Sequence, residues 1–283
     1  MPYIDSDGVQ LYAEETGTGT PVVFVHEFAA DYRAWEAQVR RFSRDYRCIT
    51  YNARGYPPSG VPSDGGAYGY ERHREDLRAI LDGFGIDAAH IVGLSMGAYA
   101  GLQFALRYPG RVRSLLFASG GSGSTRTGAE RDAYAARARA DAGRMLRDGM
   151  EAGADTYTLG PARTQLLAKD PRGWAEFKTR LAEHSALGSS LTLRNYQARR
   201  PSLFDSEAEL RDLDVPVLLA VGDEDDAVIE VNLFLKRVLP RAGLWISPNT
   251  GHPVNLEEPD SFNAEAARFL AAAERGRWGP RRG

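Results

Sequence analysis

The chain has 283 residues, 43% of them apolar, with 35 Lys and Arg against 38 Asp and Glu for a net charge of -3. That length allows one large core, or a core with a subordinate cap, and the near-neutral balance gives no general electrostatic reason to bind nucleic acid or an anionic membrane. The start, Met1-Pro2-Tyr3-Ile4-Asp5, has no basic segment leading into a long apolar run, and no stretch reaches the roughly 18 to 20 apolar residues of a membrane span, so a cytoplasmic protein is expected.

In chain order, residues 9–14 alternate as a half-buried strand does, and residues 21–26 form the continuous apolar stretch of a central strand. A helix near residues 31–43 can bury Trp35, Val39 and Phe42. Residues 47–51 read as a buried strand carrying Cys48, the single cysteine, which is expected to be a structural thiol because no second cysteine offers a redox or metal partner. A helix from about 71 to 83 can bury Leu77, Ile80 and Leu81. Further central strands follow at 88–92, 112–118 and 215–221, with helix-like intervals between them. This alternation predicts an α/β fold with helices on both sides of a largely parallel sheet.

The rhythm breaks at Ser119-Gly120-Gly121-Ser122-Gly123-Ser124, a flexible exit from a strand. Residues 125–205 are mainly helical, with Met145, Leu146, Met150, Trp174, Phe177 and Leu181 among the apolar positions available to a cap and one wall of a pocket. The predicted organisation is a core of residues 1–118 and 214–275, a helical cap insertion at 119–213 and a solvated tail at 276–283 whose Trp278 can pack back onto the body.

Gly93-Leu94-Ser95-Met96-Gly97 lies between an apolar run and a helix-like segment. A serine on such a turn is held outward, which makes Ser95 a candidate nucleophile. A hydroxyl needs a base to accept its proton, and His252, on a loop beyond a late strand, is the candidate. The base needs an acid behind it; Asp225 fits best, with Asp223 and Asp226 as competitors and the longer Glu224 turned outward. The amides of Met96 and Phe28 are the candidate donors to the oxyanion formed during attack. The remaining histidines show no dependable metal spacing, so neither a metal nor an organic cofactor is expected.

Together these segments resemble the α/β-hydrolase superfamily over essentially the whole chain: the serine pentapeptide its nucleophile elbow, Gly222-Asp223-Glu224-Asp225 its acid loop, Gly251-His252 its histidine loop. The resemblance implies an eight-stranded, mostly parallel core with a helical cap. A serine nucleophile sets the chain apart from the family's carboxylate-nucleophile dehalogenases and epoxide hydrolases. Two departures stand out. Glu27 occupies the place of the usual glycine after the oxyanion-loop histidine, and is expected either to turn away or pair with Arg54, or to act on substrate or water. Asn52 opens the segment Asn52-Ala53-Arg54-Gly55 where the family has aspartate, a change expected to alter loop geometry more than reaction type. The expected activity is hydrolysis of a small or medium carboxylic ester or lactone through an acyl-enzyme, with acyl substrate and water as partners. The alternatives are a carbon-carbon bond hydrolase acting on a ketone, whose substrate carboxylate Arg54 or cap arginines would bind, and a non-enzymatic small-molecule receptor.

Overall fold

The computed structural model describes residues 3–280, except for the side chain of Pro161. One sheet of eight strands organises the chain: β1 (Tyr3–Ser6), β2 (Val9–Thr16), β3 (Thr20–Val25), β4 (Tyr46–Tyr51), β5 (Ala89–Leu94), β6 (Val112–Ala118), β7 (Val217–Gly222) and β8 (Ala242–Ser247). Their order across the sheet is β1-β2-β4-β3-β5-β6-β7-β8. The β1–β2 and β2–β4 pairs are antiparallel and every later pair is parallel, so the expected mostly parallel eight-stranded α/β core is present.

Both faces of this sheet are buried, which is why its central strands read as unbroken apolar runs rather than alternating ones. Val22, Phe24, Val92, Leu94 and Leu116 face one side, where they meet Phe42 of α1 (Glu36–Phe42) and Phe262 and Phe269 of α11 (Pro259–Glu274). Val23, Val25, Ile91, Leu115 and Phe117 face the other, under α2 (Tyr70–Gly83), α3 (Met96–Arg107) and α9 (Asp226–Val238). Leu77, Ile80 and Leu81 of α2 are all fully buried, as their spacing predicts. Cys48 is buried too, and burial pushes its thiol up to about 12, in keeping with a structural thiol.

Several local readings need correction. The segment near residues 31–43 opens as a 3-10 turn (Tyr32–Trp35) before α1; Val39 is only partly buried against the core, while Gln38 is fully buried, its amide donating to Asn255 O at 3.2 Å on α10 (Val254–Glu257). Between β6 and β7 lie α4 (Gly128–Tyr157), α5 (Thr164–Lys169), α6 (Pro171–Ala182), α7 (Ala186–Thr192) and α8 (Glu207–Arg211). α4 is broken at Gly149, whose φ of 83° no helix continues. Leu146, just before the break, is 50% exposed and takes no part in the apolar wall expected of it, whereas Met145 and Met150 are buried. α8 packs on α9, so the chain is back against the sheet's own helices before β7 begins.

The tail is less free than a solvated segment. Trp278 stacks edge-on against Phe269 at 4.7 Å, its Nε1 donates to Arg241 O at 2.9 Å, and Arg241 Nη2 returns a bond to Trp278 O at 2.6 Å. Residues 281–283 of that tail lie outside the described residues. Trp278→Ala is expected to cost about 1 to 3 kcal/mol, less than a fully buried aromatic because the ring keeps a wet edge. Urea denaturation would read the loss as a lower midpoint with an unchanged slope.

Candidate active site

The strand order reverses between β3 and β5: from β3 the chain moves to β4 on one side, and from β5 to β6 on the other. Loops leaving the carboxyl ends of such strands diverge and leave a crevice. The loop after β3 carries Glu27 and Phe28, the turn after β5 carries Ser95, and those after β7 and β8 carry Asp225 and His252.

Ser95 has φ 53° and ψ -108°, a strained conformation for a residue with a side chain. Its amide donates to Ala118 O on β6 at 2.7 Å, which holds the turn in place. The turn can be this sharp because α3 passes directly over β3: a Cβ at Gly97 would sit 2.1 Å from Val25 O. The strain thus comes from packing the helix onto the sheet, and it leaves the serine at the start of α3. Among the described residues, neither the Met96 nor the Phe28 amide donates to another loop or side-chain group. Both stay available to an oxygen above Ser95.

His252 Nδ1 lies 2.6 Å from Asp225 Oδ2. Of the acidic run only Asp225 is buried; Asp223 turns to the Thr250 amide (3.1 Å), Glu224 accepts from Gln165 (2.8 Å) and Asp226 is exposed. The histidine loop is held from two directions. Gly251 N donates to Glu257 Oε2 at 2.6 Å, and His252 N donates to Ala162 O, a cap carbonyl, at 2.6 Å. That approach is why residue 251 lacks a side chain, since its Cβ would meet Ala162 O at 2.2 Å.

Glu27 is fully buried, and its partner is Arg163 rather than Arg54. Arg163 grips it with both arms, Nη1 to Oε1 at 3.0 Å and Nη2 to Oε2 at 2.5 Å. Burial alone would raise the Glu27 carboxyl; the guanidinium overrides it and holds the group below the usual carboxylate range. Glu27 Oε2 is also 3.8 Å from His252 Nε2, so the Glu27–Arg163 ion pair borders the imidazole. Arg54 is sequestered instead by Asp76 of α2, Nε to Oδ2 at 2.8 Å, with Nη1 on Ala67 O at 2.8 Å. It braces the loop after β4 and does not reach the cavity at Ser95, because Asp76 and the Ser6 end of β1 offer a buried charge its nearest counter-ion. Asn52 keeps that loop's turn without a charge, donating to Pro57 O at 2.8 Å and accepting from Tyr32 N at 2.8 Å.

Ser95, His252, Phe28 and Arg163 line one cavity of about 450 Å³, roofed by Met145 and Tyr157 of the cap. Such a volume suits a small or medium ligand. No hydrogen bond joins Ser95 Oγ to His252 among the described residues, and contacts of this kind commonly tighten only in the substrate complex. Arg163 was invisible in the sequence: it stands 136 positions from Glu27 in a region rich in arginines, and no spacing marks it.

Comparison with known proteins gives a consistent result. A family description reading "alpha/beta hydrolase fold" matches residues 20–259. A Bacillus subtilis (strain 168) protein, provisionally named 2-succinyl-6-hydroxy-2,4-cyclohexadiene-1-carboxylate synthase, is 30% identical over 271 residues, 94% of this chain and 97% of its own. A thermophilic esterase from Thermogutta terrifontis superposes with a TM-score of 0.84 at 24% identity, covering 96% of this chain and 98% of that one. The enol-lactonase of Burkholderia xenovorans LB400 does so with 0.82 at 22% identity, over 95% of this chain and all (100%) of its own.

Arg163→Ala is expected to destabilise the protein by about 3 to 5 kcal/mol near neutral pH, because it strands a buried carboxylate. In the wild type the Glu27 carboxyl is lower when folded than when unfolded, so its contribution is present above the unfolded value and is lost as pH falls through the folded one. Without Arg163, burial raises that carboxyl above its unfolded value, and stability then declines as pH rises. Denaturant titrations of both proteins between pH 4 and 8 should diverge with increasing pH; a constant gap would mean that lost packing, not charge, is the cause.

Proposed function

We propose that this chain, which belongs to the alpha/beta hydrolase family, cleaves a small or medium carboxylic ester or lactone through an acyl-enzyme on Ser95. The observation that carries the reading is the convergence on one cavity of a strained, outward serine and an imidazole backed at 2.6 Å by a buried carboxylate. His252 Nε2 takes the Ser95 proton as Oγ attacks the acyl carbon, and Asp225 keeps the Nδ1 proton in place and stabilises the imidazolium. The Met96 and Phe28 amides receive the oxyanion. His252 then passes its proton to the leaving oxygen and activates water to release the acid.

Glu27 would oppose this chemistry if it were a free charge beside the oxyanion site. Its ion pair with Arg163 supports the reading, since the cap cancels the charge where negative charge must develop.

A second reading is carbon-carbon bond cleavage on a ketone, because the same serine, histidine and acid can manage a proton at carbon. A fluorophosphonate probe should label Ser95, and the label should vanish in Ser95→Ala; a folded protein that resists labelling would instead support a receptor. Asp225→Asn should keep the fold and slow acylation by on the order of 10⁴-fold; full turnover would move the acid elsewhere. A panel of esters, lactones and vinylogous diketones separates the two chemistries, and rapid ketone cleavage with little ester turnover would favour the second.

A further inference from the structure

Three arginines are buried among the described residues: Arg54, Arg163 and Arg200. The first two have dedicated carboxylates, Asp76 and Glu27. Arg200 has none. Its Nη2 donates to Ser122 O and reaches the Tyr134 hydroxyl at 3.5 Å, while Nη1 is buried with no acceptor. The groups facing it are the phenols of Tyr134, Tyr196 and Tyr99. Its guanidinium carbon lies 4.7 Å from the centre of the Tyr99 ring and 5.7 Å from that of Tyr196.

Burying a cation without an opposite charge is costly, and aromatic faces with one carbonyl offset only part of that cost. Proteins rarely keep such a group unless something else brings the counter-charge. The position of Arg200 indicates what does. It lines the cavity that holds Ser95 and His252, and it stacks on Tyr99, which lies one helical turn beyond Ser95 and donates its amide to Ser95 O at 3.0 Å. Arg137 of α4 lines the same cavity, is exposed, and has no ion pair among the described residues. The other cations there are answered: Arg163 by Glu27, Arg144 by Asp141.

We propose that Arg200 receives a carboxylate of the substrate, with Arg137 at the entrance, so that the natural substrates are esters or lactones bearing a free carboxylate beyond the scissile acyl group. One positive charge and one uncommitted donor edge match a monoanion, and the planar fork of arginine suits a carboxylate. This assignment rests on the acyl-hydrolase reading for the word "substrate", but the anion site itself does not.

The test uses the full-length Ser95→Ala protein, so that binding is read without turnover. Hexanoate and phenylacetate are titrated calorimetrically beside hexanamide and phenylacetamide, which match them in shape but carry no charge. The expected result is at least tenfold tighter binding of each acid than of its amide, falling to within twofold when Arg200→Gln is added. Arg200→Lys should keep part of the preference, and serves as the comparison if Arg200→Gln melts too low to be studied. Equal affinity for acid and amide, or an acid preference that persists undiminished in both Arg200 variants, overturns the proposal. Fluorophosphonate labelling of the parent protein is scored separately: loss of the acid preference with Ser95 labelled removes only the anion site, whereas an unreactive Ser95 with the preference intact removes only the hydrolase reading.

Discussion

The crossing of α3 over β3 at Gly97 is the constraint on which the rest of the site depends. A helix that close to a strand leaves no room for a relaxed turn between β5 and α3, so Ser95 is forced to positive φ. The cost is of the order of 1 to 3 kcal/mol for such a conformation, borne by a sheet buried on both faces. Rigidity follows from the same packing: a residue locked by the backbone needs little ordering when substrate arrives.

The helical segment between β6 and β7 is tied directly into this arrangement. Its short turn around Ala162 and Arg163 touches the loop of His252 through a backbone carbonyl and the loop after β3 through a guanidinium. One element thereby holds the loop of His252 and neutralises Glu27 beside it. Tyr196 adds a third tie, donating to Met96 O at 2.9 Å at the start of α3. Cap and sheet are therefore coupled around Ser95 and His252, through polar contacts in a region of low dielectric where each is worth more than at the surface.

Local pattern made much of this legible. The central strands announced themselves because a two-sided sheet demands unbroken apolar runs, and the serine turn because only small residues permit it. β1, four residues at the exposed edge with little apolar signal, had no such mark. Leu146 misled because helical spacing shows which residues share a face but not that Gly149 breaks the helix beside them. Among four neighbouring acids, the position just past a strand end and a short side chain favoured Asp225 but could not dismiss Asp223 or Asp226; burial against His252 separates them.

From sequence alone came the sheet class, the elbow, the order of serine, acid and histidine, and the anomaly of a glutamate in the oxyanion loop. All of these are written in short windows or in chain order. Tertiary structure decided the partner of each buried arginine: Arg163 with Glu27, Arg54 with Asp76, and Arg200 with no carboxylate at all. The reason is physical. Apolar periodicity and turn chemistry are local, whereas a buried ion pairs with whatever counter-charge folding brings within about 3 Å, and chain separation carries no information about that distance.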